Sequence, residues 1–309
     1  QQKAEGCKMM DIANKIKEIA KKLLESGEID VFIAWEKGNF DYQTRPFFAR
    51  TADDVEKIVF DEYSVHNLAN FLLKYRDGKE KIGLVVKGCD SRGIVRLLED
   101  SQFQRDRLYI VGVCCPGMKD PLQTMKDNSG LNKNPAADSL AAKCKSCIQP
   151  NPVIYDELLG EQQNPGIEGE RFARVREIEN MDAGERYQFF AGVLSQCIRC
   201  YACRQVCVAC NCRTCIFDET RPQWVGRETS IEDNMMYHLV RASHMAGRCI
   251  ECGECERVCP VNIPLMLINQ KLVKDVSELY GPYEAGMEYI EGAKPPLSTY
   301  KENDPDDFI

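Results

Sequence analysis

The chain has 309 residues, 17 cysteines, a formal net charge of −8 and 44% hydrophobic residues. That length suggests two domains, or one domain with a large insertion. The acidic balance argues against nucleic-acid binding, and no apolar run of about 18 residues is present to cross a membrane.

The first 27 residues contain no apolar signal-peptide core. They read as an amphipathic helix, with Ile12, Ile16, Ile19, Leu23 and Leu24 on one stripe. Without an export signal the expected compartment is a reducing cytoplasm, where dense cysteine favours metal over disulfide. DVFIAW at 30–35 is a strand, and SVHNLANFLLKY at 64–75 has helical periodicity. KIGLVVKG at 81–88 is a buried strand, SRGIVRLLED at 91–100 a helix, and RLYIVGVC at 107–114 a second buried strand. This strand–helix–strand spacing implies a right-handed parallel crossover.

The turn after the strand at 81–88 places Gly88 and Cys89 before a helix N-cap at Asp90 or Ser91. Backbone N–H groups at such a turn favour an anion, so Gly88, Asp90, Ser91, Arg92 and Gly93 are a candidate anion or flavin site. The Gly88–Gly93 spacing lacks the Lys-Ser/Thr of a P-loop, which argues against a nucleoside triphosphate. Parallel strands end on one sheet edge, so Cys114 and Cys115 are expected beside Cys89 at the crevice where such sheets bind ligands. Cys144 and Cys147 follow as a C-x2-C pair, and GEQQNPGIEGE at 160–170 reads as a linker or loop.

Two later stretches align without a gap: QCIRCYACRQVC at 196–207 and RCIECGECERVC at 248–259. Both carry C-x2-C-x2-C-x3-C, the spacing of a bacterial two-cluster ferredoxin. Structural zinc is the competing reading, but zinc sites are usually built from separated C-x2-C pairs. The first repeat departs from the pattern in one place: Val208, not proline, follows Cys207. Between the repeats lies an insertion, 208–247, with Cys210, Cys212 and Cys215 and a helix expected over 231–247. His238 and His244 on that helix are six residues apart, the wrong spacing for a helical ligand pair, and read as ordinary helix residues. The tail STYKENDPDDFI is polar and acidic.

VVKGCDSRGIVRLLED followed by RLYIVGVCCPGMKD resembles the core of deazaflavin-reducing hydrogenase and formate dehydrogenase beta subunits. The chain is also similar to the iron–sulfur subunits of anaerobic sulfite reductases and soluble sulfhydrogenases. The ferredoxin resemblance implies crossed ligation. Cys197, Cys200, Cys203 and Cys259 would hold one 4Fe-4S cluster, and Cys249, Cys252, Cys255 and Cys207 the other. Gly88-Cys89-Asp90 stands where the beta subunits have a Pro-Cys turn, so flavin binding does not carry over directly.

The remaining cysteines leave two ligand sets open for a third 4Fe-4S cluster or zinc. One is Cys89, one of Cys114 and Cys115, Cys144 and Cys147; the other is Cys144, Cys147, Cys212 and Cys215. The expected architecture is an α/β domain with a short parallel sheet over 1–160, then a linker and helix over 161–195. An α+β two-cluster ferredoxin-like domain follows over 196–275, and an extension over 276–309. The expected function is an iron–sulfur electron-transfer subunit of a multi-subunit anaerobic oxidoreductase of hydrogenase, formate dehydrogenase or heterodisulfide-reductase type. Such a subunit relays single electrons between partner subunits and needs no small-molecule substrate of its own. The alternatives are a beta subunit with FAD or FMN that exchanges a hydride with deazaflavin or NAD(P), and a zinc-stabilised binding module. The insertion and the tail are expected to contact other subunits.

Overall fold

The computed structural model describes residues 2–129, 140–166, 170–292 and 296–297, with side chains from Met9 onward. The tail beyond Leu297, Phe308 included, and the Cys7 side chain lie outside the described residues. The chain divides into two units, Gln1–Glu168 and Gly169–Ile309.

The first unit opens with helix α1 (Gln2–Glu25), which buries Ile16 and Leu23 of the anticipated stripe together with Ala20 and leaves Ile12, Ile19 and Leu24 half-buried. Strand β1 (Val31–Lys37) follows, then β2 (Thr44–Ala49), β3 (Ile58–Val59) and β4 (Ile82–Val86). Helix α2 (Gly88–Glu99) leads to β5 (Leu108–Val113). After α3 (Pro121–Asn128) and α4 (Ala142–Lys145), β6 (Glu157–Leu159) completes a six-stranded sheet of order β2-β1-β4-β5-β6, with β3 paired to β1. The β1–β4, β4–β5 and β5–β6 pairings are parallel, while β2 and β3 run antiparallel to β1. Every residue of β4 is buried, as expected of a central parallel strand covered on both faces. Strands β2, β3 and β6 carry weak sequence signals. Two are very short, and β2 contains Pro46, which an edge strand tolerates.

Helix α2 begins at Gly88 with Lys87 as its N-cap, three residues before the expected start. Asp90 is therefore not the cap but the third helical residue. Its carboxylate accepts from the backbone N–H of Lys87 at 2.8 Å and of Leu68 at 2.6 Å. The Lys87 ammonium lies 2.9 Å from the same carboxylate and donates to the His66 carbonyl at 3.0 Å. It also stands 4.0 Å above the Trp35 ring. Lys87, Asp90, Leu68 and Trp35 are all buried.

The same contacts explain a second difference. Only Ala69–Tyr75 of the expected helix at 64–75 is helical, and it is a 3-10 turn. The segment before it is tied to α2: Leu68 N–H donates to Asp90, and the Asn67 side chain accepts from Ala69 N–H while donating to the Cys89 carbonyl. Tertiary hydrogen bonds override local periodicity here.

The described residues of the second unit contain helices and no strand, which corrects the α+β expectation. They are α5 (Ala173–Glu179), α6 (Ala183–Leu194), α7 (Ala202–Gln205), α8 (Ile231–Ser243), α9 (Glu254–Arg257) and α10 (Leu265–Tyr280). The physical reason is that flanking and inserted helices wall the cysteine loops. Leu194 of α6, Tyr237 of α8 and Leu265 of α10 join Cys197, Cys203, Phe217, Val225 and Cys255 in one buried cluster. Lys271 and Lys274 of α10 pair with Glu179 of α5 at 3.1 and 3.0 Å. Helix α8 covers the expected helix but stops at Ser243, and Gly247 turns the chain at a φ of 65°.

A buried pair that loses one partner is strongly destabilising, because the other charge stays out of water. Asp90→Asn should therefore destabilise the first unit by about 3–5 kcal/mol, read as a fall in the denaturant midpoint of its sheet signal. An unchanged midpoint would contradict this account of α2.

Candidate metal centres

The two cysteine repeats are equivalent in backbone as well as in sequence. Arg199 and Tyr201 in the first repeat, and Glu251 and Gly253 in the second, have φ values of 54, 60, 52 and 66°. These are the residues two and four places after Cys197 and Cys249. Left-handed residues reverse the chain between successive thiols, so each loop can curl its cysteines inward. The third cysteine then falls in a short helix, Cys203 in α7 and Cys255 in α9, and these two helices pack against each other.

Cys207, the fourth cysteine of the first repeat, lies near enough to the second repeat for its charge to act on Cys249, Cys252 and Cys255. Cys203 and Cys200 act on Cys197, and Cys259 packs against the core that holds Cys197, Cys203 and Cys255. Burial pushes the Cys255 thiol up to about 12, and it raises Cys249 and Cys252 as well. Cys207 is the exception. A hydrogen bond from Cys210 holds it down, against the effect of burial.

The surroundings suit thiolate ligands. Backbone N–H groups of Arg199 and Ile263 donate to Cys197 and Cys259, each at 3.4 Å. The Tyr237 hydroxyl lies 3.4 Å from Cys203 Sγ, and Asn269 Nδ2 donates to Cys255 Sγ at 3.5 Å. N–H···S and O–H···S bonds to the ligands are a main way a protein tunes an iron–sulfur centre. Tyr237 and Asn269 were not legible as ligand partners in the sequence. Their only signal is a polar position on the apolar face of a helix.

The first unit gathers four more thiols. Cys147 acts on Cys89, Cys144 and Cys147 act on Cys115, and Cys144 acts on Cys147. The structure thus distinguishes between the neighbours at the end of β5. Consecutive residues of an extended chain point to opposite sides. Cys114 continues the pairing with β6, its N–H donating to the Leu159 carbonyl at 3.0 Å, and is buried away from the other thiols. Cys115 faces Cys144 and Cys147, and burial pushes its thiol up to about 12. Gly117 N–H donates to Cys115 and Met118 N–H to Cys144, each at 3.4 Å. Lys87, Lys143 and Arg92 bring positive charge to the group.

Cys212 and Cys215 belong to the second unit, where they line a cavity of about 420 Å³ with Cys210, Arg204 and Arg241. Among the described residues, no three His, Cys, Asp or Glu side chains form a set for a single metal ion. His238 is buried, and burial first lowers its pKa to about 4, so the ring is neutral.

Gly88, Asp90, Ser91, Arg92 and Gly93, the candidate flavin or anion turn, are all buried. A side chain at Gly88 would meet the Gln149 carbonyl at 2.0 Å. Ser91 Oγ donates to the Gly88 carbonyl and accepts from Val153 N–H. The anion at this helix N-terminus is the chain's own Asp90 carboxylate.

Three substitutions separate these sets. Cys207→Ser should bleach the cluster of Cys249, Cys252 and Cys255 and spare that of Cys197, Cys200 and Cys203, read by EPR of the reduced chain. Cys115→Ser should lose about four irons per chain, while Cys114→Ser keeps them; equal iron loss in both variants would dissolve the first-unit set.

Residues 193–263 match the 4Fe-4S dicluster domain family. Over 90% of its length the chain is 23% identical to the F420-dependent formate dehydrogenase subunit beta of Methanocaldococcus jannaschii, covering 92% of that protein. It is likewise 23% identical to the F420-dependent formate dehydrogenase 1 subunit beta of Methanococcus maripaludis, over 87% of this chain and 89% of that one. A chain of the F420-reducing [NiFe] hydrogenase complex from Methanosarcina barkeri superposes on 36% of this chain and 40% of its own, at 20% identity and a TM-score of 0.31. Together with the paired cysteine loops, the family match and the two formate dehydrogenase relatives give a chain that carries a 4Fe-4S dicluster domain and resembles, over nearly all its length, formate dehydrogenase beta subunits.

Proposed function

We propose that this chain is the iron–sulfur electron-transfer subunit of a multi-subunit oxidoreductase of the formate dehydrogenase or hydrogenase type. The observation that carries the reading is the ungapped repeat of C-x2-C-x2-C-x3-C within the 4Fe-4S dicluster match, and the influence of Cys207 on Cys249, Cys252 and Cys255 supports the crossed pairing of a two-cluster ferredoxin. The thiolates of the two repeats would hold the clusters, which would supply one-electron chemistry when bound. The residues of the chain bury the thiols, donate hydrogen bonds to sulfur and set the local charge.

The four thiols Cys89, Cys115, Cys144 and Cys147, with their N–H donors and nearby cations, support a third 4Fe-4S centre in the first unit. Cys200 is the exposed member of the first ferredoxin set, and its neighbour Ile198 is 58% exposed. That edge suits exchange of electrons with a partner subunit. Trp224 in the insertion is 61% exposed, an apolar side chain suited to burial against another subunit. No helix among the described residues is long and apolar enough to cross a membrane.

A flavin-containing beta subunit is the second reading. The F420 dependence in the names of the relatives favours it, because a hydride carrier and one-electron clusters need a two-to-one-electron converter between them. A flavin absorbance that stays with the chain through gel filtration would support it.

The purified subunit should accept electrons from dithionite and show negligible turnover with formate, hydrogen or a nicotinamide cofactor. Full turnover by the isolated chain with any of these would replace the relay by the flavoenzyme.

A further inference from the structure

Helix α8 comes from the insertion between the repeats, so the ferredoxin spacing does not itself call for it. One stripe of the helix and the turn that follows it, Asn234, Tyr237, Arg241 and Met245, recurs at helical spacing and meets the cysteine loops. Asn234 Nδ2 donates to the carbonyls of Leu194 at 3.2 Å and Cys197 at 3.0 Å. The Tyr237 hydroxyl reaches Cys203 Sγ, and Met245 Sδ lies 3.7 Å from Cys207 Sγ. Arg241 Nη2 donates to the Cys203 carbonyl at 3.0 Å.

Arg241 is 3% exposed, and its Nε has no hydrogen-bond partner among the described residues. No carboxylate among them pairs with it. The opposing charges that act on it are the thiolates of Cys207, Cys255, Cys210 and Cys203. Cys203 belongs to the first ferredoxin set, and Cys207 and Cys255 to the second. A buried guanidinium is costly unless an anion meets it, and it cannot release its proton. Two four-thiolate centres supply that anion, and each gains a further negative charge when reduced.

We propose that Arg241 is the shared counter-cation of both ferredoxin clusters, stabilising the reduced state of each and raising both midpoint potentials. The assignment rests on the two-cluster reading. It gives the insertion a role inside the relay: nearby charge is one of the protein's levers on cluster potential, and a single residue applies it to two centres at once.

The test is a potentiometric titration followed by EPR on the full chain, purified anaerobically, with iron and acid-labile sulfide measured in every sample. Arg241→Gln with wild-type cluster content should shift both ferredoxin potentials downward, and Arg241→Lys should shift them less. Arg227→Gln, which removes an exposed cation of the same insertion, should move neither. Unchanged potentials in Arg241→Gln, or a shift confined to one cluster, would overturn the proposal. If Arg241→Gln cannot hold its clusters, their retention in Arg241→Lys supports the charge, and their loss in both variants overturns it. A wild-type chain without iron and sulfide would remove the two-cluster reading itself.

Discussion

A thiolate taken out of water must find hydrogen-bond donors and positive charge, and this requirement shapes both units of the chain. Burial raises the thiol pKa at Cys89, Cys115, Cys147, Cys249, Cys252 and Cys255, so each would sit neutral if left alone. Metal binding reverses that preference and couples ligand deprotonation to folding. The N–H donors placed at Cys115, Cys144, Cys197 and Cys259 serve the charged form.

The two units meet the requirement by different means. In the first, a parallel sheet brings Cys89 and Cys115 to the ends of β4 and β5, and the 140–150 segment adds Cys144 and Cys147. Lys87 stands at the junction. It pairs with Asp90, stacks on Trp35 and lends its charge to Cys89 and Cys115. In the second, no sheet is present among the described residues, and left-handed turns at equivalent places in each repeat curl the cysteines inward. Helix α8 then lays Tyr237 and Arg241 against them.

Much of this is legible in the amino-acid sequence. The strands β1, β4 and β5, the helix between the last two, the stripe of α1 and the ungapped repeat all follow from local pattern. Less legible are the start of α2, the loss of helix at 64–68 and the separation of Cys114 from Cys115. Each depends on a partner distant in sequence: Asp90 with Leu68, Asn67 with the Cys89 carbonyl, Cys114 with Leu159. A hydrogen bond that spans 22 residues leaves no trace in the local periodicity of either segment.

The sequence by itself determined the ligand chemistry, because C-x2-C-x2-C-x3-C constrains short loops whose geometry is set by neighbouring residues. It also determined the parallel crossover, because the handedness of strand–helix–strand is a local steric matter. Only the tertiary structure decided which cysteine after β5 faces the other thiols, that the turn after β4 is filled by its own aspartate, and that Arg241 of the insertion donates to the Cys203 carbonyl. Those outcomes depend on which buried charge meets which, and that is settled by the packing of segments far apart in the chain.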